Sequence, residues 1–339
     1  MTDDTKNFGD LRARWWVQLL SVSIAALLLY LALRNVEWAR VWVVIAGARA
    51  QYLALGCSIA TLSYFLRSLR WRVLLNAEGR LGVGTVFWAT MAGYLGNNLL
   101  PARAGELVRS LMISARSGLS KTFVLTTALT ERLVDAIVLV AVGSTVLATL
   151  QAGPAWLAEA SRGAVAVAAV GLAVLLLLPR LRSLLERLVS IVPLPMPARV
   201  RLLGIVEQLV LGIRTLHHPV RLASFASLTA CIWLLDAAGS MIVAHALGLA
   251  LSFPVALLLL AGLGLGSALP STPGYVGIYQ FVAVTVLTPF GFSRSDALAY
   301  ILVGQFFNYL VVGALGAVGV VQARRLVSAA EGPGATVRR

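Results

Sequence analysis

The chain has 339 residues, 59% of them hydrophobic and only 12% charged. A soluble core of this length could not enclose so many apolar side chains, so a lipid bilayer is the expected solvent. The net charge of +14 is carried almost wholly by arginines lying between apolar runs, without the aromatic interleaving of a nucleic-acid surface; they read as topology signals and headgroup contacts, and nucleic acid is not an expected partner.

The first 14 residues form a short polar tail. The apolar run Trp15 to Leu33 is too long for a secretory h-region and has no small-residue cleavage site before Arg34, so it reads as a retained span from about Trp16. Span two, about Val41 to Leu66, ends in the basic cluster Arg67, Arg70, Arg72 and Arg80. Such a cluster reads as cytoplasmic.

Gly82 to Leu100 is apolar but broken by Gly84, Gly93 and Gly96; it ends at Asn97-Asn98 and Pro101 and is followed by Arg103, Arg109, Arg116 and Lys121. Basic clusters on both sides argue for a re-entrant hairpin from the cytoplasmic side, sheltered by protein or a wet cavity. Thr122 to Leu150 is a span running outward, and Gly163 to Leu178 returns. Pro179 to Arg221 is the longest polar stretch and holds seven arginines. Within it, Leu202, Val206, Leu209, Ile213 and Leu216 recur at helical spacing, so residues 199–216 read as an interfacial helix. His217-His218 has no nearby cysteine or carboxylate and is not expected to bind metal; Cys57 and Cys231 lie in apolar runs and read as packing residues.

Leu222 to Leu247 spans outward again. Phe253 to Leu269 and Tyr275 to Pro289 flank a second break, and Ala297 to Val321 is the last span, ending beside Arg324 and Arg325. Counted back from that end, the second hairpin enters from outside. Both breaks share the punctuation Leu-Pro-x-x-x-Gly, at Leu100 to Gly105 and at Leu269 to Gly274.

The expected fold is therefore an all-α polytopic membrane protein with about six full spans and two re-entrant hairpins (about eight hydrophobic segments) in an inverted-topology repeat. A single membrane domain, 15–322, would comprise a first half at 41–150 and a second at 222–322, joined by the span 163–178 and the helix 199–216. Both tails, 1–14 and 323–339, would be cytoplasmic. The alternative makes each hairpin two tilted spans. Broken segments at corresponding places in two inverted halves point to a transport or binding site near the midplane.

Two charged groups are candidates for that site. Arg103, Glu106 and Arg109 fall at i, i+3 and i+6, so Glu106 can pair with one arginine and leave the other for an anion. Glu131, Arg132 and Asp135 lie roughly 14 Å into a span at 1.5 Å per residue. Unpaired in lipid they would cost on the order of 8–10 kcal/mol, so they must face the bundle interior or a wet cavity. The plainer readings are a cytoplasmic loop with a surface ion pair and a structural ion network; the two groups can also be one assembly. Further candidates for contact with substrate are Asn97 and Asn98, Arg67 and Arg70, then Pro270, Pro273, Gly274, Tyr275, Gln280, Gln305 and Asn308. Asp236 is a further acid in mid-span, and Tyr309 a further neutral group. Gly262-Leu263-Gly264-Leu265-Gly266 has no preceding strand and reads as helix packing, not a nucleotide loop.

Arg67-x-x-Arg70-Trp71-Arg72, Pro101-x-Arg103-x-Gly105-Glu106-x-x-Arg109, Glu131-Arg132-x-x-Asp135 and Pro273-Gly274-x-x-Gly277 occur in that order. The set resembles the lysylphosphatidylglycerol synthase transmembrane family, the flippase-like domain attached to the multiple peptide resistance factor. The resemblance covers the chain from span two to the last span. It implies a bacterial inner-membrane protein that translocates lipids or helps to, with membrane lipids and a lipid-modifying enzyme as partners; stand-alone members occur near hopanoid, glycolipid and polyprenyl-linked pathways. Gln280 stands where the resemblance leads one to expect an acid, and no soluble aminoacyl-transferase domain is present. No catalytic triad, Walker motif or metal set appears, so neither an enzyme nor a cofactor is expected, and the leading expectation is a flippase-like transporter of an anionic or headgroup-modified lipid. A non-transporting scaffold of a lipid-modifying pathway is the alternative.

Overall fold

The computed structural model describes residues 22–100, 104–150, 155–191, 195–269 and 272–330, and among them there are helices and no strands. Three helices are individually long and apolar enough to cross a membrane: α3 (Ala50–Leu75), α10 (Pro219–Ala246) and the Arg294–Gln322 part of α13 (Arg294–Ala330). Before them come α1 (Val22–Leu33) and α2 (Trp38–Ala46), which meet at 85° and together pass the same test. Between α3 and α10 lie α4 (Val83–Leu99), α5 (Gly105–Ser117), α6 (Lys121–Leu150), α7 (Ala155–Leu177), α8 (Arg182–Ile191) and α9 (Met196–Arg214). The apolar but shorter α11 (Phe253–Gly266) and α12 (Ile278–Leu287) precede α13.

The segment read from sequence as span two is split. Gly47 to Arg49 interrupt it, and the Arg49 amide donates to the Ala246 carbonyl at 2.9 Å, which ties the break to the end of α10. α2 is held on α13, where Arg40 pairs with Asp296 at 2.8 Å and the Glu37 amide donates to Ser295 Oγ at 2.9 Å. The long helix therefore starts and ends later than the apolar run suggests. Its last three turns carry Arg67, Arg70 and Arg72, which the sequence reading groups with Arg80 in one cytoplasmic cluster. The structure separates them: Arg70 is fully buried, Arg72 donates to the Leu81 carbonyl at 2.6 Å, and Arg80 is exposed.

Other boundaries move as well. α7 begins at Ala155, ahead of the returning span read from Gly163, so Glu159 and Arg162 are helical. α8 was not anticipated; within it Arg182 pairs with Glu186 at 2.7 Å, a hydrogen bond that raises the Arg182 pKa, and Arg182 also reaches Glu207 on α9 at 3.4 Å. On the interfacial segment the buried apolar side chains include Val210, Ile213 and Leu216, with Leu202 turned outward; α9 packs on α6 with the face near its C-terminal end. α13 continues through Arg324 and Arg325, which sequence placed in the tail. The tail 1–14 lies outside the described residues.

Each sequence break becomes a helical hairpin with a physical cause. Leu100 is extended (φ −102°, ψ 145°), the conformation imposed on a residue before proline. α5 then folds back on α4 so closely that a side chain at Gly105 would meet the Gly93 carbonyl and Asn97. In the second hairpin Pro273 opens a short 3-10 turn, Pro273–Tyr275, in which Gly274 and Tyr275 have φ of 72° and 62°. Gly277 follows with φ 89° and abuts the α1 backbone at Ala25. This turn touches α4, which brings the two hairpins together.

Candidate functional site

The site grows from the α3–α10 pair. Tyr52 meets His245, Ser63 meets Asp236 and Arg70 meets Thr229, so the two helices run antiparallel. α6 lies alongside α3 near its C-terminal turns, and α5 closes over it. Charged residues on these four helices then meet away from lipid.

At the centre Arg70 binds two carboxylates. Its Nη1 and Nη2 donate to the two Asp135 oxygens at 2.6 and 2.8 Å, and Nη2 also donates to Glu131 Oε1 at 2.9 Å. Nη1 reaches Thr229 Oγ1 at 3.2 Å, and the guanidinium lies 5.1 Å from the Phe225 ring centre. Glu131 offers its other oxygen to Arg109 Nη2 at 3.0 Å, and Arg109 Nε donates to Glu106 at 2.6 Å. The Arg109 guanidinium stacks 4.3 Å from the centre of Trp71, whose indole donates to Thr127 at 3.1 Å. Glu106 also accepts from Arg132 Nε at 2.9 Å, and Arg132 reaches Tyr94 OH at 3.4 Å. A separate pair joins Arg67 to Asp236 at 2.5 Å, with Ser63 donating to the other Asp236 oxygen.

Among the described residues this assembly holds four arginines (67, 70, 109, 132) and four carboxylates (106, 131, 135, 236). Arg70, Arg109 and Glu131 are sealed in, whereas the Arg132 side chain retains 27% of its exposure and that of Arg67 13%. Burial of ions is tolerable only where each finds partners, and removal of one strands the rest. The assembly therefore has a locked interior and a responsive edge.

That edge faces a cavity of about 580 Å³. Arg67, Asn97, Asn98, Glu106, Arg132, Asp135, Tyr275, Gln305 and Asn308 all line it, as do Asp236, Tyr64 and Tyr94. The Tyr64 hydroxyl donates to Asn308, and the rings of Tyr275 and Tyr279 stack at 4.9 Å. Of the two arginines flanking Glu106 in sequence, Arg109 does pair with it; Arg109 is buried and shared between Glu106 and Glu131. Among the described residues, the cations turned to the cavity are Arg67 and Arg132. Arg103 and Pro270 lie outside the described residues.

The neutral candidates of the second hairpin do different work. Gln280 accepts from the Gly277 amide at 2.7 Å and donates to Gln305 at 2.6 Å; Gln305 donates in turn to the Gly274 carbonyl at 2.6 Å. Tyr309 donates to that same carbonyl. Gln280 is buried and does not line the cavity; with Pro273 and Gly274 it fixes the shape of the turn rather than facing the open space. The cavity residues missed from sequence include Ser63, Tyr64, Tyr94 and Trp233. Tyr64 and Tyr94 each sit three residues before a residue that was singled out, Arg67 and Asn97, on the same helix face.

The lysylphosphatidylglycerol synthase TM region family model matches residues 18–316 of the chain. No curated protein and no solved structure matches it.

Proposed function

Because the chain belongs to the lysylphosphatidylglycerol synthase TM region family, we propose that it is a membrane protein that carries lipid headgroups between leaflets through the cavity walled by its two hairpins. The observation that carries this reading is the pairing of a closed ion network with two cavity-facing guanidiniums, Arg67 and Arg132. A phosphate-bearing headgroup could bridge them bidentately, while Glu106, Asp135, Asp236, Asn98 and Asn308 offer acceptors to any amine or hydroxyl it bears. Acyl chains would stay in the bilayer.

The helix contacts support an inverted repeat in which α3, α4, α5 and α6 correspond to α10, α11, α12 and α13. Under that exchange α4 on α13 becomes α11 on α6, α4 on α5 becomes α11 on α12, and α3 on α4 becomes α10 on α11; all of these contacts occur. The proposed topology is six spans with hairpins entering from opposite faces of a bacterial inner membrane and both termini in the cytoplasm. Rocking of one repeat against the other would expose the site alternately.

The test is a flipping assay in proteoliposomes with head-labelled phosphatidylglycerol. Wild-type protein accelerates exchange, and Arg132→Gln and Arg67→Gln each lower the rate at least about tenfold (the loss of one charged hydrogen-bond set) while eluting as folded protein. Equal rates in all three, or no acceleration by wild type, would remove the transport reading; co-purification of an enzyme would then favour a scaffold.

A further inference from the structure

A second space lies outside the charged cavity. It has a volume of about 460 Å³ and runs between α6 and α10 to the start of α11. Val134, Val138, Leu222, Leu234, Phe253 and Leu257 are among its walls. Leu222, Leu234 and Phe253 are also exposed at the surface, on or next to a helix apolar enough to cross a membrane, so the groove opens sideways. The repeat is uneven at this point, because α3 packs on α13 whereas their counterparts α10 and α6 are parted by the groove.

Among the described residues, the only hydroxyl in its wall is already used. Thr229 donates to the Phe225 carbonyl at 2.8 Å and accepts from Arg70. Trp233 is different. It lines both spaces, and Arg67 sits 5.4 Å from its ring centre on the cavity side. Among the described residues its Nε1–H is buried with no hydrogen-bond partner. A buried indole N–H normally has one, and leaving it unpaired is costly.

From this we infer that the groove between α6 and α10 is the seat of an acyl chain, and that Trp233 donates to the ester carbonyl of a glycerolipid lying across the boundary. In such a lipid the ester is the polar group between charged head and hydrocarbon tail. Its carbonyl accepts and cannot donate, which matches a lone donor on a side chain that lines both a charged cavity and an apolar groove. The occupant is the lipid whose headgroup enters the cavity, so the inference rests on the preceding reading for that headgroup. It adds the backbone class: diacyl ester, in preference to a diether or a polyprenyl chain.

The test uses the intact protein in detergent and native mass spectrometry, with dioleoyl-phosphatidylglycerol and its diether analogue offered at equal concentration. Wild type is expected to retain the ester lipid about fivefold over the ether, the equivalent of one neutral hydrogen bond. Trp233→Phe keeps a ring beside Arg67 but loses the donor, and should retain both lipids equally. Ala230→Trp fills the groove from an exposed position and should retain neither. No ester preference in wild type, an unchanged preference in Trp233→Phe, or undiminished retention by Ala230→Trp overturns the assignment. The flipping assay separates the two ideas. Transport with an irrelevant groove leaves only the transport reading, whereas groove-dependent retention without transport leaves only the groove.

Discussion

Arg70 and Asp135 meet fork to fork, with Nη1–Oδ1 at 2.6 Å and Nη2–Oδ2 at 2.8 Å. The two residues are 65 positions apart, on α3 and α6. A planar guanidinium and a planar carboxylate in this geometry fix the relative rotation of the two helices as well as their distance. Glu131 then couples the same guanidinium to Arg109 on α5, so one buried chain of charges holds α3, α5 and α6 in register.

Glu131→Gln should therefore act on stability first. It takes away the charge shared by two sealed guanidiniums, and breaking such a network costs about 3–5 kcal/mol. Thermal unfolding in detergent, followed by intrinsic fluorescence, should show a large drop relative to Arg132→Gln, whose side chain is partly exposed. Similar midpoints for the two variants would mean that the network is not the structural core proposed.

The first hairpin depends on the absence of a side chain at Gly105. Gly105→Ala places a methyl group against the Gly93 carbonyl and Asn97, both on α4, so backbone must shift. The expected outcome is a loss of about 1–3 kcal/mol or more, as for overpacking. Gly84→Ala is the control, since nothing lies within 4 Å of the added carbon; at a helical position it should be neutral or stabilising by up to about 1 kcal/mol. Equal melting temperatures for the two variants would rule out close hairpin packing.

Gln305→Leu tests the lock on the second turn. It strands the Gln280 amide and removes one of the two donors on the Gly274 carbonyl. An unpaired buried polar group costs about 1–3 kcal/mol. Hydrogen exchange should quicken at residues 274–280 with little change in α3 or α6. Uniform protection would show that Tyr309 alone suffices.

Cys57 lines the cavity and is partly exposed, while Cys231 is exposed on α10. With Cys231→Ser in place, a small maleimide should label Cys57, and saturating phosphatidylglycerol should slow that labelling several-fold. Labelling that ignores the lipid would place the headgroup elsewhere.

The sequence was informative where a relationship is local. Glu106 and Arg109 share a face at i, i+3, as do Arg132 and Asp135, and both pairs form ion contacts. The proline and glycine punctuation located both hairpin turns. What could not be read was the partner of each buried charge. Arg70 stands in a basic run that looks like a membrane-surface signal, and only the extension of α3 to Leu75 carries it inward to Glu131 and Asp135. The break at Gly47 to Arg49 was missed for a similar reason. It is set by a hydrogen bond to Ala246, nearly two hundred residues away. Gln280 was read as a substrate contact because a polar group in a span suggests function, but its amide is occupied in holding a turn; Gln305 shares in that hold and lines the cavity as well.

The equal numbers of guanidiniums and carboxylates have an electrical consequence. With four of each among the described residues, the empty site sums to zero, and its reorientation would move no net charge through the transmembrane field. A bound phosphatidylglycerol brings one negative charge, which is worth about 2.3 kcal/mol per 100 mV. Under the proposed transport, the return of the empty site would then be indifferent to voltage, and the loaded step alone would be electrogenic. A membrane potential, negative inside, would by itself drive an anionic lipid towards the outer leaflet.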